Sequence, residues 1–189
     1  RDKESFKRFQ HVPLLSKEAD NWLIALTAGK SDKLWLGTWS GEILQLDIKT
    51  ESLSKVMPKA GKQDSILINR ITTMHEDING LLWIGTLDNG LYVLDPSDDL
   101  IIIHHYQNKL NDEHSLSNNR IMSIFEDKHG DIWVGTVNGL NRIISTSGKG
   151  EQRTIEHFYP HKNNPYSISH KEVYGMQEDD EGILWIVTL

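Results

Sequence analysis

One short sequence pattern recurs along this chain at a nearly constant interval, and it constrains the fold more than any other feature. The pattern is an apolar stretch around a tryptophan. It occurs as Leu34-Trp35-Leu36-Gly37-Thr38, Leu82-Trp83-Ile84-Gly85-Thr86, Ile132-Trp133-Val134-Gly135-Thr136 and Leu184-Trp185-Ile186. The four tryptophans are separated by 48, 50 and 52 residues. A period of this length is typical of the blades of a β-propeller.

The second repeat, residues 71–95, shows what one blade contains. Glycines at 80 and 90 mark two tight turns, and short apolar runs flank each turn, which predicts three antiparallel strands. A fourth, outer strand is predicted around the apolar or aromatic positions Val56, Tyr106 and Phe158, each 15 residues before the next repeat begins. We therefore predict an all-β fold of four-stranded antiparallel blades, here an incomplete arc of about four blades.

The repeat boundaries divide the chain as one part of a single β-propeller. We assign 1–20 to the outer strand of a preceding blade, 21–68 to blade 1, 69–118 to blade 2, 119–170 to blade 3 and 171–189 to an incomplete blade 4. Phe6 to Gln10 alternates in polarity and would form that outer strand. We expect an open arc of a larger ring of about seven blades, which self-associates as an isolated polypeptide because its strand edges are unpaired.

The innermost strand of each repeat carries a small residue ten positions before the tryptophan. These residues are Ala25, Thr73, Ser123 and Gly175. Innermost strands are crowded near the axis of a propeller, so small side chains there would let neighbouring sheets approach. The tryptophans are then expected to fill the gaps between blades.

Three acidic pairs invite a catalytic interpretation: Glu76-Asp77, Glu126-Asp127 and Glu178-Asp179. Two carboxylates can act as acid and base, as in glycosidases. These pairs, however, recur once per repeat just before a turn glycine, and no copy differs from the others. We interpret them as turn residues whose aspartates bind nearby backbone N–H groups.

Composition excludes several other functions. The net charge of −7 argues against binding of nucleic acid by this segment. The chain has no cysteine, its nine histidines form no pair at metal-ligand spacing, and it lacks a P-loop and a Gly-x-Ser-x-Gly motif. No apolar run approaches the roughly 20 residues that a membrane-spanning helix needs. We expect no cofactor, no metal, no catalytic residue and no membrane contact in this segment.

The loops that do not repeat are the best candidates for a binding site. In a four-stranded blade, the loop entering the innermost strand and the loop joining the second and third strands lie on the same face. The candidate ligand-binding residues on this face are Trp22, Trp39, Asn69, Arg70, Asp88, Asn89, Asn119, Arg120 and Asn138. Aromatic rings beside Arg, Asn and Asp suit sugars, whose C–H faces stack and whose hydroxyls need hydrogen bonds. Alternatively, the two tryptophans fill a gap between blades and the arginines pair with neighbouring acids.

The third repeat also carries a family resemblance. It reads Ser115-Leu116-Ser117-Asn118-Asn119, Ile121, Ile124, Glu126-Asp127, Gly130, then the tryptophan stretch and Gly139-Leu140-Asn141. This resembles the two-component regulator propeller repeat. The similarity is strong in the second and third repeats and partial in the fourth, where Val187 replaces a glycine. It is weakest in the first, where Ala28-Gly29 replaces the acidic pair and Asp32 the turn glycine.

This resemblance implies a periplasmic ligand sensor of Bacteroides-type hybrid two-component systems. In such proteins, propellers outside the inner membrane precede an immunoglobulin-like domain, a transmembrane helix, a histidine kinase, a receiver and a DNA-binding domain, none of which lies in this chain. The family typically recognises oligosaccharides. The resemblance also implies partners in the remaining propeller blades and the downstream sensor domains, and a homodimer for the full-length protein, in which histidine kinase activity would reside.

Two other functions remain open from the sequence. The same face could meet another protein as an interaction scaffold. A propeller lyase such as a streptogramin lyase is a further alternative, but it would need one singular His and Glu constellation with a metal, which the repeats do not offer.

Circular dichroism tests the predicted fold class directly. Short apolar runs between closely spaced turns leave little room for helices, so the spectrum should be that of a β protein. A helical content near a third would contradict the prediction.

Overall fold

Every regular element that the structure describes is a β-strand. The computed structural model describes residues 22–59, 68–144 and 154–189, and these ranges contain fourteen strands and no helix that could span a membrane. The predicted outer strand at Phe6 to Gln10 lies outside the described residues.

The strands form successive antiparallel sheets in chain order. Blade 1 contains β1 (Leu23–Gly29), β2 (Lys33–Thr38), β3 (Ile43–Asp47) and β4 (Leu53–Val56). Blade 2 contains β5 (Ile71–Glu76), β6 (Leu82–Thr86), β7 (Leu91–Asp95) and β8 (Ile101–Tyr106). Blade 3 contains β9 (Ile121–Glu126), β10 (Ile132–Thr136), β11 (Gly139–Ile143) and β12 (Ile155–Phe158). The last sheet, blade 4, pairs only β13 (Val173–Glu178) with β14 (Leu184–Thr188). The predicted all-β arc of four-stranded antiparallel blades is confirmed.

The hydrophobic core lies between blades rather than within one sheet. One cluster joins Trp35 of blade 1 to residues of blade 2 such as Ile71 and Ile84, and a second joins Trp83 of blade 2 to blade 3. Trp35 and Trp83 are 1% and 0% exposed. They therefore fill the gaps between blades, as the sequence predicted.

Blades approach each other closely at the glycine that follows the tryptophan by two positions in blades 1 to 3. A Cβ atom on Gly85 would lie 2.6 Å from Cγ2 of Ile121, the first residue of the next inner strand. Gly37 approaches Ile71 in the same way, and Gly135 approaches Val173. The small inner-strand residues are the cross-strand partners of these glycines. Close approach therefore depends on both strands, and the sequence analysis had identified only one of them.

The arc exposes apolar residues at both ends. The inner strands pack in order, with β5 between β1 and β9, and with β13 beside β9. Leu26 of blade 1 is 63% exposed and Trp185 of blade 4 is 62% exposed, although their equivalents Met74 and Trp83 are buried. Within the described residues, the ends of the arc therefore do not cover each other.

The glycine contacts predict a large difference between two Gly→Ala substitutions. Gly85→Ala should destabilise the fold by about 1–3 kcal/mol, because the new methyl group overlaps Ile121 and Thr73. Gly175→Ala is the control, since the nearest atoms to its Cβ, those of Val187, lie at 3.9 Å. Urea unfolding monitored by tryptophan fluorescence measures both. Equal losses of stability in the two variants would contradict this account of blade spacing.

Candidate functional site

The aspartate of each acidic pair organises the turn in its own blade. Oδ1 of Asp77 accepts hydrogen bonds from the backbone N–H groups of Asn79 and Leu81, both at 2.9 Å. Its Oδ2 accepts one from Nε1 of Trp83 at 2.8 Å. Asp127 and Asp179 make the equivalent three bonds, including those to Trp133 and Trp185. The carboxylate thus holds the turn and the tryptophan together.

These bonds favour the charged form of the carboxyl group. Burial alone would raise the pKa of Asp127, but the hydrogen bonds from Trp133 and from the N–H groups of Asp131 and His129 outweigh it and lower the pKa. The bond from Trp185 and the N–H group of Ile183 likewise lower the pKa of Asp179. A carboxylate held ionised by three donors has no proton to give as a general acid.

The glutamate of each pair acts between blades, a role that the sequence did not reveal. Glu76, Glu126 and Glu178 each accept a hydrogen bond from a backbone N–H group in the turn of the preceding blade. The donors are Lys30, Ile78 and Lys128, each at 2.9 Å. This hydrogen bond recurs in blades 2 to 4 and links each of them to the blade before it. It lies at the end of the arc opposite the loops that carry the candidate ligand-binding residues.

Blade 1 lacks the acidic pair, and its tryptophan has a different hydrogen-bond acceptor. Where the other blades have Glu-Asp, it has Ala28-Gly29, and its first turn is shorter because Gly29 pairs directly with Lys33. Trp35 has no aspartate in its own blade, and its Nε1 donates instead to Oε2 of Glu76 at 2.5 Å. A cavity of about 340 Å³ lies beside this contact, between blades 1 and 2.

The candidate ligand-binding residues lie on loops that backbone hydrogen bonds hold together. The N–H group of Trp39 donates to the carbonyl of Trp22 at 3.0 Å, and that of Leu87 to the carbonyl of Arg70 at 3.0 Å. Neighbouring blades are joined in the same layer, since the N–H group of Gly90 donates to Asn119 O at 2.9 Å. We call this end of the arc, formed by the loops entering each inner strand and the loops joining the second and third strands, the upper face.

The two upper-face tryptophans differ in exposure. Trp22 is 63% exposed, whereas Trp39 is half-buried. Trp39 lies in the loop next to Gly41, which packs closely against Asn69 at the start of blade 2. Trp39 is thus partly covered, while most of the Trp22 side chain is open to solvent.

Arg70 and Asp88 form an ion pair across the upper face of blade 2. Both side chains are about half-exposed, so the pair contributes little stability. Arg70 has a positive φ of 47°. The structure thus provides the pairing that the sequence analysis gave as the alternative, although both groups stay accessible.

The Asn89 side chain belongs to a partly buried polar network. It donates to the hydroxyl of Tyr92 at 2.5 Å and accepts from Gln107 at 2.8 Å. His105 stacks on Tyr92 with 4.0 Å between ring centroids, and its Nε2 lies 2.7 Å from the carbonyl oxygen of Asn89. Burial raises the pKa of Tyr92 to about 12 and lowers the pKa of His105. A neutral His105 with its proton on Nε2 therefore fits this network.

Of the four remaining candidates, one accepts a hydrogen bond and three are exposed. Oδ1 of Asn119 accepts a hydrogen bond from the N–H group of Asn108 at 2.7 Å, which fixes the loop after blade 2. Asn69, Arg120 and Asn138 are exposed. Within ranges 22–59, 68–144 and 154–189, their side chains form no hydrogen bond or ion pair.

A peripheral groove was missed by the sequence analysis. This open cavity of about 760 Å³ lies between the loop after β8 and strand β12, and it is lined by polar residues such as Lys109, Asp112 and His157. Its volume is in the range of small-molecule sites. The one signal in the sequence was the stretch 107–114, which does not repeat and which precedes the recurring Ser115-Leu116-Ser117 segment.

The described residues contain no group of three or more His, Cys, Asp or Glu side chains that could hold a metal ion. Among the described histidines, His157 contacts the carbonyl oxygen of Ser115 at 2.7 Å.

Family comparison identifies the repeat. The family model for the two component regulator propeller matches residues 65–88 and 115–138. These are the segments that enter blades 2 and 3 and run through their tryptophan strands. These two segments match the two-component regulator propeller repeat. No curated protein matches the chain.

Solved structures share the fold of these two-component regulator propeller repeats. The chain aligns over 95% of its length with the extracellular domain of a hybrid two component system from B. thetaiotaomicron, with a TM-score of 0.71 and 18% identity. It aligns over 87% with the extracellular domain of a one component system from the same organism, with a TM-score of 0.65 and 21% identity. A catalytically inactive virginiamycin B lyase from Staphylococcus aureus aligns over 91% of the chain with a TM-score of 0.52 and 15% identity. At these identities the likeness is one of fold.

The chain is short relative to these neighbours. It spans 23% and 21% of the two B. thetaiotaomicron chains and 65% of the lyase chain.

The carboxylate network predicts a pH-dependent stability. Because the pKa of folded Asp127 is lowered, its contribution is present above its unfolded pKa of about 3.9 and is lost as the pH falls through the lower folded value. Asp127→Asn should cost about 1–2 kcal/mol at neutral pH, because an amide replaces a charged acceptor. The gap between wild type and variant should narrow towards pH 3 in urea unfolding. Asp98→Asn, at an exposed acid outside the turn network, should change stability little, and a pH-independent gap for Asp127→Asn would contradict the mechanism.

Proposed function

We propose that this segment is part of an extracytoplasmic ligand sensor of a hybrid two-component system, and that its upper face binds an oligosaccharide. Two-component regulator propeller repeats and the fold shared with extracellular domains of such systems support the sensor role. The segment itself would bind and not catalyse. It would lie in the periplasm and pass the binding signal, through downstream sensor domains, to a histidine kinase.

The observation that carries this proposal is the contrast between the framework and the upper face. The acidic pairs and the buried tryptophans make hydrogen bonds and packing contacts that recur from blade to blade. Trp22, Arg120 and Asn138 are instead exposed on one face, and the residue that directly precedes the inner strand differs between blades, as Trp22, Arg120 and Glu172 show. Recognition is commonly built from variable side chains on such a fixed scaffold.

These side chains have the chemistry that a sugar requires. The exposed indole of Trp22 offers an apolar face for the C–H groups of a sugar ring. Asn69 and Asn138 each present a donor and an acceptor, and Arg120 adds a fork of donors for hydroxyl or carboxylate oxygens. The Arg70–Asp88 pair is accessible enough to open and bind hydroxyl groups. Asn89 and Asn119 would contribute by holding their loops in place.

The partners follow from the same proposal. The segment would meet the remaining blades of its propeller, and the full-length sensor would act as a homodimer. It would need no cofactor or metal for binding.

The test is oligosaccharide binding with matched variants. A screen of oligosaccharides by thermal shift would supply the ligand, and isothermal titration would measure its affinity. Trp22→Ala should weaken binding about fivefold, since a lost aromatic stack costs on the order of 1 kcal/mol. Trp39→Ala, Arg70→Ala and Arg120→Ala should also weaken binding, with little loss of stability for the exposed positions.

Ile78→Ala provides the control. Ile78 is 74% exposed and lies in the turn of blade 2 at the end of the arc opposite the upper face, so its truncation should leave affinity unchanged. If all four upper-face variants bind the oligosaccharide as wild type does, the sugar site is not on this face. Binding of a protein instead of any sugar to the same face would favour the interaction scaffold.

A further inference from the structure

Two side chains beside the tryptophan of a blade face the gap to the next blade, and they differ from blade to blade. One lies two residues before the tryptophan and the other lies opposite it on the third strand, so both share its face of the sheet. In blade 2 they are Leu81 and Val93, which are 3% and 0% exposed and belong to the core between blades 2 and 3. In blade 3 they are Asp131 and Arg142, which are joined by hydrogen bonds of 2.6 and 2.9 Å.

Blade 1 has Lys33 and Gln45 at these positions, and neither side chain has a partner of this kind. Both are half-buried, and in the described ranges neither side chain forms a hydrogen bond or an ion pair. Asp47 lies opposite Lys33, but its carboxylate accepts a hydrogen bond from the N–H group of Thr50 at 2.8 Å. Lys33 and Gln45 instead line the cavity of about 340 Å³ between blades 1 and 2.

The acidic groups in the wall of this cavity already have donors. Both carboxylate oxygens of Glu76 accept hydrogen bonds in the contact with blade 1. Oδ1 of Asp95 accepts from the N–H group and the hydroxyl of Ser97, at 2.9 and 2.5 Å. The second lysine of the wall, Lys30, donates from Nζ to a backbone carbonyl of blade 2 at 2.8 Å. The ammonium group of Lys33 is therefore available to an anion that enters the cavity, and such a pair would form a charge-assisted hydrogen bond.

We propose that this cavity binds a small hydroxylated carboxylate, of the size of one sugar acid. The ammonium group of Lys33 would bind the carboxylate, and the amides of Gln45 and the exposed Asn79 would exchange hydrogen bonds with hydroxyl groups. The volume of the cavity is at the lower end of the range for small-molecule sites, which suits a ligand of this size. The site lies among the turns at the end of the arc opposite the upper face, so it is separate from the proposed oligosaccharide site.

Isothermal titration of the chain with glucuronate tests the proposal, and glucose is the neutral probe with a ring of the same size. Glucose should bind at least about tenfold more weakly than glucuronate, because it cannot form the charge-assisted bond to Lys33. Lys33→Gln should weaken the binding of glucuronate about tenfold and should change that of glucose little.

A double variant uses blade 2 as its template. Lys33→Leu combined with Gln45→Val copies the apolar pair of that blade, so it should abolish the binding of glucuronate while the fold is kept. Circular dichroism and melting curves verify the fold, and Lys33→Gln alone decides the question if the double variant does not fold. Lys49→Leu is the matched control, because Lys49 lies in the same blade, pairs with Asp32 at 2.6 Å and does not line the cavity.

Three results would overturn the proposal. The first is absence of glucuronate binding at millimolar concentrations. The second is an equal affinity of wild type and Lys33→Gln for glucuronate, because the carboxylate would then bind elsewhere. The third is a loss of glucuronate binding in Trp22→Ala, which would assign this ligand to the upper face; we expect that variant to bind glucuronate as wild type does.

Discussion

The arrangement of this arc depends on carboxylates that accept hydrogen bonds from backbone N–H groups at the ends of strands. Adjacent residues of an extended chain point in opposite directions, so a Glu-Asp pair can serve two partners at once. The aspartate turns back to its own turn and tryptophan, while the glutamate reaches the preceding blade. One dipeptide therefore fixes both the shape of a blade and its distance from the next. This distance between blades requires a glycine in the tryptophan strand, because a larger residue there would overlap the next blade.

Blade 1 illustrates how closely these contacts are coupled. Without its own aspartate, the indole N–H group of Trp35 would be buried without an acceptor, which is costly. Glu76 of blade 2 fills this role with one oxygen and keeps its bond to the N–H group of Lys30 with the other. One carboxylate thus serves both donors, and the cavity beside it lies where the shorter first turn leaves space. The repeat tolerates a changed sequence because the neighbouring blade supplies the missing acceptor.

The sequence was sufficient for features that depend on local spacing. The strands, the turn role of Asp77, and the interblade packing of Trp83 all follow from the repeat, because their partners lie within one period or recur with it. The bonds of the glutamates could not be predicted, since their donors lie 46 to 50 residues away in the preceding blade. The hydrogen bonds of Asn89 with Tyr92 and Gln107 could not be predicted for a similar reason: only the fold brings the outer strand to that loop. The groove near His157 is also made by two blades and has no motif of its own.

The two ends of the arc are held together by different kinds of contact, and this difference suits the proposed binding role. At the opposite end, the blades are joined through the side chains of the acidic pairs. On the upper face, neighbouring loops are joined through backbone groups, as Gly90 N–H is to Asn119 O and Gly139 N–H is to Lys171 O. Backbone hydrogen bonds do not depend on the identity of the side chain, except at the glycines themselves. Side chains such as Trp22 and Arg120 can therefore change while the spacing of the blades stays constant, so a binding site on the upper face, as proposed, could change specificity without loss of the fold.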